Sequence, residues 1–460
     1  MMANRYGAPS DTLSVQLAER GVHGVILAYV DTSGVCRVKT IPTARLSSAA
    51  AWGVGVAPVH DTYLANGSYV PIDALGPGDG DLCMFPDLDG ITVLAGQPGW
   101  AWTAVDRIGQ DGRQHPGCGR TFLRRVVAEA AEHHGITFKA AIEVEWSVGR
   151  KAQAPHDTDY VPACSGGAFG AVRLAELSDY TADLMGVLTA QDTGVAQFHP
   201  ETGAAQFEVS VDALDPVAAA DRSVLVRQTI QAVSMRHGLR ASFSPAVVPE
   251  GFGNGGHLHL SAWQNGRNLH SRGERRYGMT EQAEAFVAGI LTHLPALTAI
   301  TAPSPASYLR LKPSYSAGPY TAWGYETRQA ALRVIAGPRG RQAEAANVEV
   351  KPVDLAANPY LALGCTIAAG LDGMRSAAVL PEEIAGDPAR LTASEAELRG
   401  VHRLPTSLKE AVEEFRADTT LRDVLGPALA DAVIAVRCGE IEAVTGLDDD
   451  GIAAAYRWTY

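Results

Sequence analysis

The order of apolar and polar residues predicts a helix followed by two hairpins in the first hundred residues. Apolar positions recur at helical spacing through 12–20, which predicts a short helix. The apolar run 25–30 and the run 36–41 flank a turn signal, so we expect them to pair as a hairpin. Residues 82–85 and 91–94 flank another turn signal and predict a second strand pair.

Longer helices alternate with strand-like segments in the rest of the chain. Their predicted ranges are 121–135, 216–238, 359–374 and 408–418. Thr121 is expected to cap the first helix, a proline opens the second and third, and Ser407 with Glu410 predicts a capping box for the fourth. Because the strands between these helices return separately to one sheet, the predicted fold class is α+β.

Length and one glycine-rich segment predict two domains. A chain of 460 residues exceeds the size at which a single hydrophobic core usually suffices. Residues 109–119 are rich in glycine and polar side chains, which is typical of a linker. We therefore predict an N-terminal domain over 12–108 and a larger domain over 115–460.

Charge and cysteine usage exclude several classes of protein. The formal net charge of −13 disfavours nucleic acid and anionic membranes, since both bind clustered basic residues. The longest nearly apolar stretch found, 361–371, is shorter than a membrane span, and residues 1–12 lack the apolar core of a signal peptide. Six scattered cysteines without a CxxC pair favour a reduced, cytoplasmic enzyme.

Four further segments place polar side chains on one face of a strand and apolar side chains on the other: 142–146, 206–210, 257–261 and 347–351. Their polar residues are Glu143, Glu145, Glu208, His257, His259, Ser261, Asn347, Glu349 and Lys351, with Glu201 seven residues before Glu208. One such segment alone is more typical of a solvated strand face, a structural histidine or a salt bridge. Four in one chain favour a shared site. Carboxylates between core residues are costly without a cation, and oxygen donors with an imidazole suit Mg²⁺ or Mn²⁺.

These segments, in this order, resemble the glutamine synthetase family. The matching runs are 31–39, 86–89, 141–145, 198–208, 253–261, 307–313 and 347–351, the last continuing into 357–361. The resemblance extends from about residue 12 to the C-terminus. It implies a β-grasp N-terminal domain, a catalytic domain with a curved antiparallel sheet flanked by helices, and a homo-oligomer of two stacked hexameric rings, usually a dodecamer, with active sites at subunit interfaces.

The resemblance also implies a role for each matching residue. Two to three divalent metals are expected in each site. The residues near the substrate carboxylate would be Glu145, Glu201 and Glu208, and those near the ATP phosphates Glu143, His257 and Glu349. The glutamate site would contain Arg310, Lys351, Gly253 and Glu145, and the nucleotide site His259, Ser261, Asn347 and Arg333. Arg328 matches the arginine that stabilises the transferring phosphoryl group, and Glu349 and Ser316 complete the expected catalytic set.

This residue set implies a ligation in two steps. A carboxylate does not react with an amine near neutral pH, so the γ-carboxylate of L-glutamate would first take the γ-phosphoryl group of ATP. The metals and Arg328 would neutralise the charge of that group during transfer. The product, γ-glutamyl phosphate, carries a leaving group that an amine can displace.

Two positions depart from the ammonia-using enzymes of the family. Their flap loop carries a glutamate where this chain has Ser316, and their N-terminal loop aspartate matches Ala57, unless the loop is re-registered onto Asp61. Fewer anionic groups disfavour ammonium and leave room for a larger amine. The pattern therefore resembles the γ-glutamylamine ligase branch. Ethanolamine is the preferred amine, because a polyamine would need acidic residues along its channel. A polyamine ligase and an ammonia-using glutamine synthetase stay open.

Further departures concern the acid substrate and regulation. Lys351 stands where arginine is usual, so another carboxylic acid stays open as a substrate. Asn347 replaces a basic nucleotide contact, and no tyrosine lies between Tyr360 and Tyr456, so adenylylation is not expected. Outside the ligases, a guanidine kinase and an inactive structural ring are the alternatives. Idle buried carboxylates would destabilise such a ring.

Overall fold

The computed structural model describes residues 11–72, 75, 80–150 and 159–460, and its N-terminal part is a six-stranded sheet. Its elements are α1 (Asp11–Glu19), β1 (Gly24–Val30), β2 (Cys36–Pro42), α2 (Leu46–Trp52), β3 (Val54–Val56), β4 (Leu82–Pro86), β5 (Thr92–Val93) and β6 (Trp100–Ile108). The strand order is β2-β1-β6-β4-β3, with β5 on β6. The first helix and the β1–β2 hairpin are confirmed, and β1 runs parallel to β6.

The second predicted hairpin is wrong. β4 and β5 each pair with β6, a nine-residue strand that the sequence analysis missed. All of β6 after its first residue is buried, so it lacks the apolar–polar alternation that marks a half-exposed strand.

The larger part combines thirteen helices with two sheets among the described residues. The helices are α3 (Gly119–His134), α4 (Ala171–Glu176), α5 (Ser178–Ala190), α6 (Pro216–Arg236), α7 (Glu281–Thr301), α8 (Ser307–Arg310), α9 (Gln342–Ala345), α10 (Pro359–Arg375), α11 (Ala393–Leu398), α12 (Leu408–Ala417), α13 (Thr419–Leu425), α14 (Pro427–Ala443) and α15 (Asp449–Tyr456). The strands are β7 (Ile136–Ile142), β8 (Val144–Arg150), β9 (Val195–Pro200), β10 (Gln206–Val211), β11 (Leu239–Ser242), β12 (Leu258–Gln264), β13 (Arg267–Asn268), β14 (Trp323–Tyr325), β15 (Leu332–Ile335) and β16 (Asn347–Val350). The predicted α+β class is confirmed.

The strands of this larger part form two hydrogen-bonded sheets, where one was predicted. The first has the order β11-β8-β10-β9, and the second has the order β13-β12-β16-β15-β14 with β7 on β12. The predicted strand 142–146 is therefore wrong, because Glu143 is the link between β7 and β8. Its N–H donates to the carbonyl of His257 over 3.1 Å. Glu145 thus belongs to the first sheet and Glu143 to neither, although both line the same cavity.

Most predicted helix ends are confirmed, and two caps differ. Helix α3 begins at Gly119, and Thr121 lies inside it, with its hydroxyl donating to the carbonyl of Cys118. At α12 the Ser407 hydroxyl accepts from the N–H of Glu410 as predicted. The Glu410 carboxylate, however, accepts from the N–H of Thr406 rather than completing the capping box.

Helix α7 has the length and composition of a membrane span, which the sequence analysis missed. Its best 18-residue window has a mean hydropathy of 1.5, but 83% of that window is buried inside the fold. The helix packs chiefly against α10 and α12. This segment is therefore a core helix of the larger part.

Candidate active site

A cavity of about 670 Å³ lies between the two sheets of the larger part. Its lining includes Glu145 of β8, Glu208 of β10 and Glu349 of β16. The residues on either side of these three carboxylates are all apolar and have 0% of their surface exposed. Buried neighbours hold each strand in one orientation, so the predicted alternation of polar and apolar faces is confirmed.

One cluster of possible metal ligands joins Glu143, His259 and Glu349, with donor atoms within 4.8 Å of one another. His257 lies beside it, with Nδ1 2.8 Å from Oε2 of Glu143 and 3.3 Å from Oε1 of Glu349. The structure therefore brings together the predicted set of Glu143, His257 and Glu349 and adds His259.

The charges in this first cluster offset the cost of burial. Burial opposes ionisation of Glu143, but His259 and His257 outweigh it and hold its pKa well below the usual value. Burial is likewise outweighed at Glu349, where Lys351 and His259 lower the pKa to about 2. Burial and then Lys351 lower the pKa of His257 to about 4. His257 is thus a neutral imidazole near pH 7, the form that binds metals.

A second cluster contains Glu201 and Glu208, as predicted, together with His199, which was not. Their donor atoms also lie within 4.8 Å of one another. His199 Nδ1 is 3.6 Å from Oε1 of Glu201, and its Nε2 is 3.5 Å from Oε1 of Glu208. The hydrogen bond that His199 donates to the Glu208 carboxylate raises the pKa of His199 to about 9.

Glu145 lies between these clusters and faces hydrogen-bond donors as well as other carboxylates. Its Oε2 accepts from the Gln206 amide over 2.9 Å and from the N–H of Gly255 over 2.8 Å. Burial, followed by the charge of Glu208, raises the pKa of Glu145 to about 8. Without a cation, this carboxyl group is therefore mostly protonated at pH 7.

The turn that carries Glu201 is held by a buried arginine that the sequence analysis missed. Arg173 has 3% of its surface exposed, and its guanidinium donates to the carbonyls of Glu201 over 2.5 Å and of Gly203 over 2.6 Å. It also donates twice to the carbonyl of Gly166. These bonds position the Glu201 carboxylate without occupying it.

The donor atoms of both clusters suit a divalent cation. Carboxylate oxygens with a few imidazole nitrogens match Mg²⁺ or Mn²⁺ better than the sulfur-rich sets of structural zinc. Five carboxylates around one cavity also repel one another, and a cation would relieve that repulsion.

Arg310 and Lys351 bring positive charge to the same cavity. Arg310 donates through Nη2 to Nε2 of His257 over 2.9 Å, and Lys351 donates to Oε1 of Glu349 over 2.8 Å. The Arg310 Nη1 atom is buried and has no hydrogen-bond partner among the described residues. A buried donor is costly unless something accepts from it. A substrate carboxylate would fit there.

Three other predicted residues line the cavity. Arg328 is exposed to it, and Arg333 donates to Glu326 over 2.8 Å and to Glu349 over 3.2 Å. At Gly253 an added Cβ would lie 1.9 Å from the carbonyl oxygen of Pro245, so only glycine fits.

The remaining residues of the predicted nucleotide site lie outside the cavity lining that the described residues form. His259 Nδ1 is 2.9 Å from Oδ1 of Asn347, so these two side chains bind each other. The Ser261 hydroxyl accepts from the Trp263 indole over 2.8 Å. Their proposed contacts with a nucleotide stay predictions.

The expected acceptor end of the cavity is built by two loops with aromatic side chains. Ser316 and Tyr315 line the cavity together with Phe252. Gln329 binds Ser316 at two points, accepting from its N–H over 3.2 Å and donating to its hydroxyl over 3.1 Å. The Phe252 and Tyr315 rings have centroids 5.0 Å apart.

Asp61, the possible replacement for the missing loop aspartate, is engaged elsewhere. It is fully buried, and its Oδ2 lies 2.6 Å from Arg107 and 2.8 Å from His115. Burial raises the pKa of Asp61, but the charge of Arg107 outweighs it and lowers the pKa below the usual value. Asp61 is therefore paired within the N-terminal part, which counts against the re-registered alternative.

Comparison with known proteins identifies the family. The family model described as "glutamine synthetase, catalytic domain" matches residues 116–450. The chain belongs to the glutamine synthetase family. This confirms the resemblance stated from the sequence, and it makes the chain an acid–amine ligase of the glutamine synthetase type.

Individual relatives are also similar over most of the chain. The gamma-glutamylpolyamine synthetase GlnA3 of Streptomyces coelicolor is 66% identical over 97% of this chain and 96% of its own. The glutamine synthetase of Methanocaldococcus jannaschii is 30% identical over 80% of each chain. A structure described as a GmaS/ADP complex has a TM-score of 0.82 and 28% identity, covering 95% of this chain and 97% of its own.

Arg173 and His199 were missed because nothing in their spacing along the sequence distinguishes them clearly from ordinary structural residues. Arg173 lies in a helix 28 residues before the turn that it holds, as in an ordinary surface helix. His199 precedes Pro200 at the end of β9, and only the pairing of β9 with β10 places it opposite Glu208. The His-x-Glu spacing from His199 to Glu201 was the available signal.

Proposed function

We propose that the chain is an ATP-dependent γ-glutamyl–amine ligase and that its amine is a polyamine. The observation that carries the choice of an amine over ammonium is the Ser316 side chain in the cavity. It stands where ammonia-using relatives have a flap carboxylate. The name of the 66% identical relative favours the polyamine alternative over the predicted ethanolamine preference, which is not confirmed.

The residue roles implied by the family are part of this proposal. Glu143, His257 and Glu349 would hold a metal on the phosphate side, and Glu201 and Glu208 with Glu145 one on the substrate side. The unpartnered Nη1 of Arg310 supports binding of the glutamate carboxylate there. Lys351, which is ion-paired to Glu349, contributes a point charge rather than a planar fork.

The same side chains account for activation of the acid. When bound, ATP and its divalent metals supply the phosphoryl group and neutralise charge on its oxygens. Arg310 orients the glutamate. Arg328, which is exposed to the cavity, would stabilise the charge of the transferring group. The amine then displaces phosphate from the γ-carbonyl carbon and releases its proton to solvent or a neighbouring base.

The oligomeric state and the cellular location are inferred from the family, as the residue roles are. We infer a dodecamer of two hexameric rings in the cytoplasm. All six cysteines lie in described residues and are free thiols, which supports a reducing compartment. Sedimentation velocity distinguishes twelve subunits from six, two or one.

A panel of amines tests the proposed activity. Phosphate release from ATP and L-glutamate would be measured with spermine, putrescine, ethanolamine, isopropylamine and ammonia. We expect the polyamines to give the highest kcat/KM. Activity with ammonia alone would overturn the proposal, and silence with every amine would support an inactive ring or another acid substrate.

Ser316→Glu tests the pocket argument directly. A carboxylate here would hold a small cation and accept its proton, so we expect the use of ammonia to rise by on the order of tenfold or more. Ser316→Gln has the same shape without the charge and serves as the matched control. An equal response of both variants would show that charge at this position does not select the amine.

A further inference from the structure

The Phe252 and Tyr315 rings, here called the aromatic pair, border the cavity beside Ser316. Their centroids are 5.0 Å apart and the ring planes are tilted by 44°. Phe252 has 40% of its surface exposed, so its ring is not a core side chain. A large apolar ring half-open to a cavity rich in carboxylates needs a different explanation from packing.

The loops that carry the aromatic pair are held firmly in place. Gly251 has a φ of +136°, and a side chain at Gly253 would meet the Pro245 carbonyl, so both neighbours of Phe252 must be glycine. Lys312 joins the two loops, donating to the carbonyl of Pro249 over 2.9 Å. The ring of Phe252 is thus presented to the cavity by backbone that few other sequences can adopt.

The loop of Tyr315 is built in a similar way. Ser314 and Ser316 on either side both have left-handed backbone, with φ of +64° and +55°. Two hydrogen bonds between Gln329 and Ser316 hold Ser316 in place. They thereby also fix the position of the neighbouring Tyr315. Preorganised rings lose little conformational freedom when a ligand binds between or beside them.

The carboxylates of the cavity indicate which class of ligand the aromatic pair can bind. Among the described residues that line it, every carboxylate belongs to the set already assigned to metals: Glu143, Glu145, Glu201, Glu208 and Glu349. The far end of a polyamine carries ammonium groups joined by methylene chains. Aromatic faces bind both parts, since the ring quadrupole attracts a cation and the ring body packs against methylenes.

We propose that the aromatic pair of Phe252 and Tyr315 binds the distal alkylammonium arm of the amine substrate. This rests on the proposed function and names the side chains that make a diamine a better substrate than a monoamine of the same length. It replaces the acidic channel that the sequence analysis expected a polyamine to require.

Two amines that differ only at the distal end test this. Putrescine and butylamine have the same four-carbon chain, and only putrescine carries a second ammonium group. We expect Phe252→Leu, which keeps an apolar side chain, to raise KM for putrescine by about fivefold and to lower the putrescine-to-butylamine ratio of kcat/KM by a similar factor. Phe252→Trp should move that ratio in the opposite direction, because indole binds cations best.

Matched variants separate this proposal from the proposed function. Tyr69→Leu removes an exposed aromatic ring of the N-terminal part, where Tyr69 is 63% exposed, and should leave the ratio unchanged. If the wild-type enzyme prefers putrescine but neither Phe252 variant changes the putrescine-to-butylamine ratio of kcat/KM, only the role of the aromatic pair is overturned. A wild-type enzyme that uses putrescine no better than ammonia would overturn the proposed function as well.

Discussion

The protonation state of Glu145 should depend on whether a metal is bound to the site. Burial and the charge of Glu208 raise its pKa to about 8. At pH 7 the group is therefore mostly protonated in the metal-free protein, although a carboxylate must be ionised to bind a cation. As a proposed metal ligand, it makes the affinity for Mg²⁺ rise with pH up to about 8.

We predict that Glu145→Gln releases about one proton fewer than the wild type when Mg²⁺ binds at pH 7. The glutamine cannot ionise, and it should also bind Mg²⁺ more weakly. Calorimetry in two buffers with different ionisation enthalpies measures the number of protons released. Glu129→Gln, at an exposed position of α3, is the control. Equal proton release from Glu145→Gln and the wild type would remove Glu145 from the metal site.

For individual residues, the sequence predicted which carboxylates face the cavity better than it predicted hydrogen-bond and ion-pair partners. Glu208 and Glu349 could be placed because buried apolar neighbours determine which way each strand faces. The bond between Gln329 and Ser316 could not, since thirteen residues and a loop separate them. Nor could the ion pair of Asp61 with Arg107 be predicted, because the two residues are 46 positions apart and meet only in the folded N-terminal part.

The elements around the cavity explain why Glu143 and Glu145, only two positions apart, are proposed as ligands of different metals. β7 pairs with β12, whereas β8 pairs with β10 and β11, so the chain changes sheets at Glu143. Apolar–polar alternation continues across the change without interruption. The pattern therefore predicted one strand, and only the pairing partners reveal two.

The turn that leads into β12 places Gly255 against three side chains of the site. A Cβ at Gly255 would lie 2.6 Å from Nε2 of His257, 2.7 Å from Nη2 of Arg310 and 2.8 Å from Oε1 of Glu145. All three atoms lie at the ends of side chains rather than in the backbone. The fold can therefore accommodate an added Cβ, but only by displacing these side chains from their positions in the site.

We predict that Gly255→Ala lowers kcat/KM by on the order of 100-fold, because displacements near 1 Å in a catalytic site have effects of this size. The unfolding midpoint should change little. Steady-state kinetics and thermal unfolding of the same preparation check both parts. Gly186→Ala in α5 is the control, since nothing lies within 4 Å of its added Cβ. Full activity in Gly255→Ala would show that these side chains do not act in the arrangement seen.

At the scale of the whole molecule, the N-terminal sheet and the larger part share one core. Ile26, Ala28 and Val30 of β1 belong to the same apolar cluster as Phe122 of α3. The other face of β1 packs into a separate N-terminal cluster. The division at 109–119 stays a prediction, because linker composition says nothing about surfaces that meet after folding.

A buried arginine adds a polar connection across the same boundary. Arg120 of α3, with its side chain 5% exposed, lies 2.8 Å from Asp106 of β6 and 2.8 Å from Asp221 of α6, and it also bonds to Asp87. Removing one partner of a buried ion network leaves the others uncompensated, which is costlier than losing a surface pair.

We therefore predict that Arg120→Leu lowers the free energy of unfolding by about 3 kcal/mol or more. Arg125→Leu on the same helix, where Arg125 forms an exposed pair with Glu129, should change it by less than about 0.5 kcal/mol. Urea unfolding measures both. Hydrogen exchange should show the loss spread over β6, α3 and α6, because Arg120 contacts all three. Protection lost in α3 alone, or equal effects of the two variants, would mean that the apolar core and not this network joins the N-terminal sheet to the larger part.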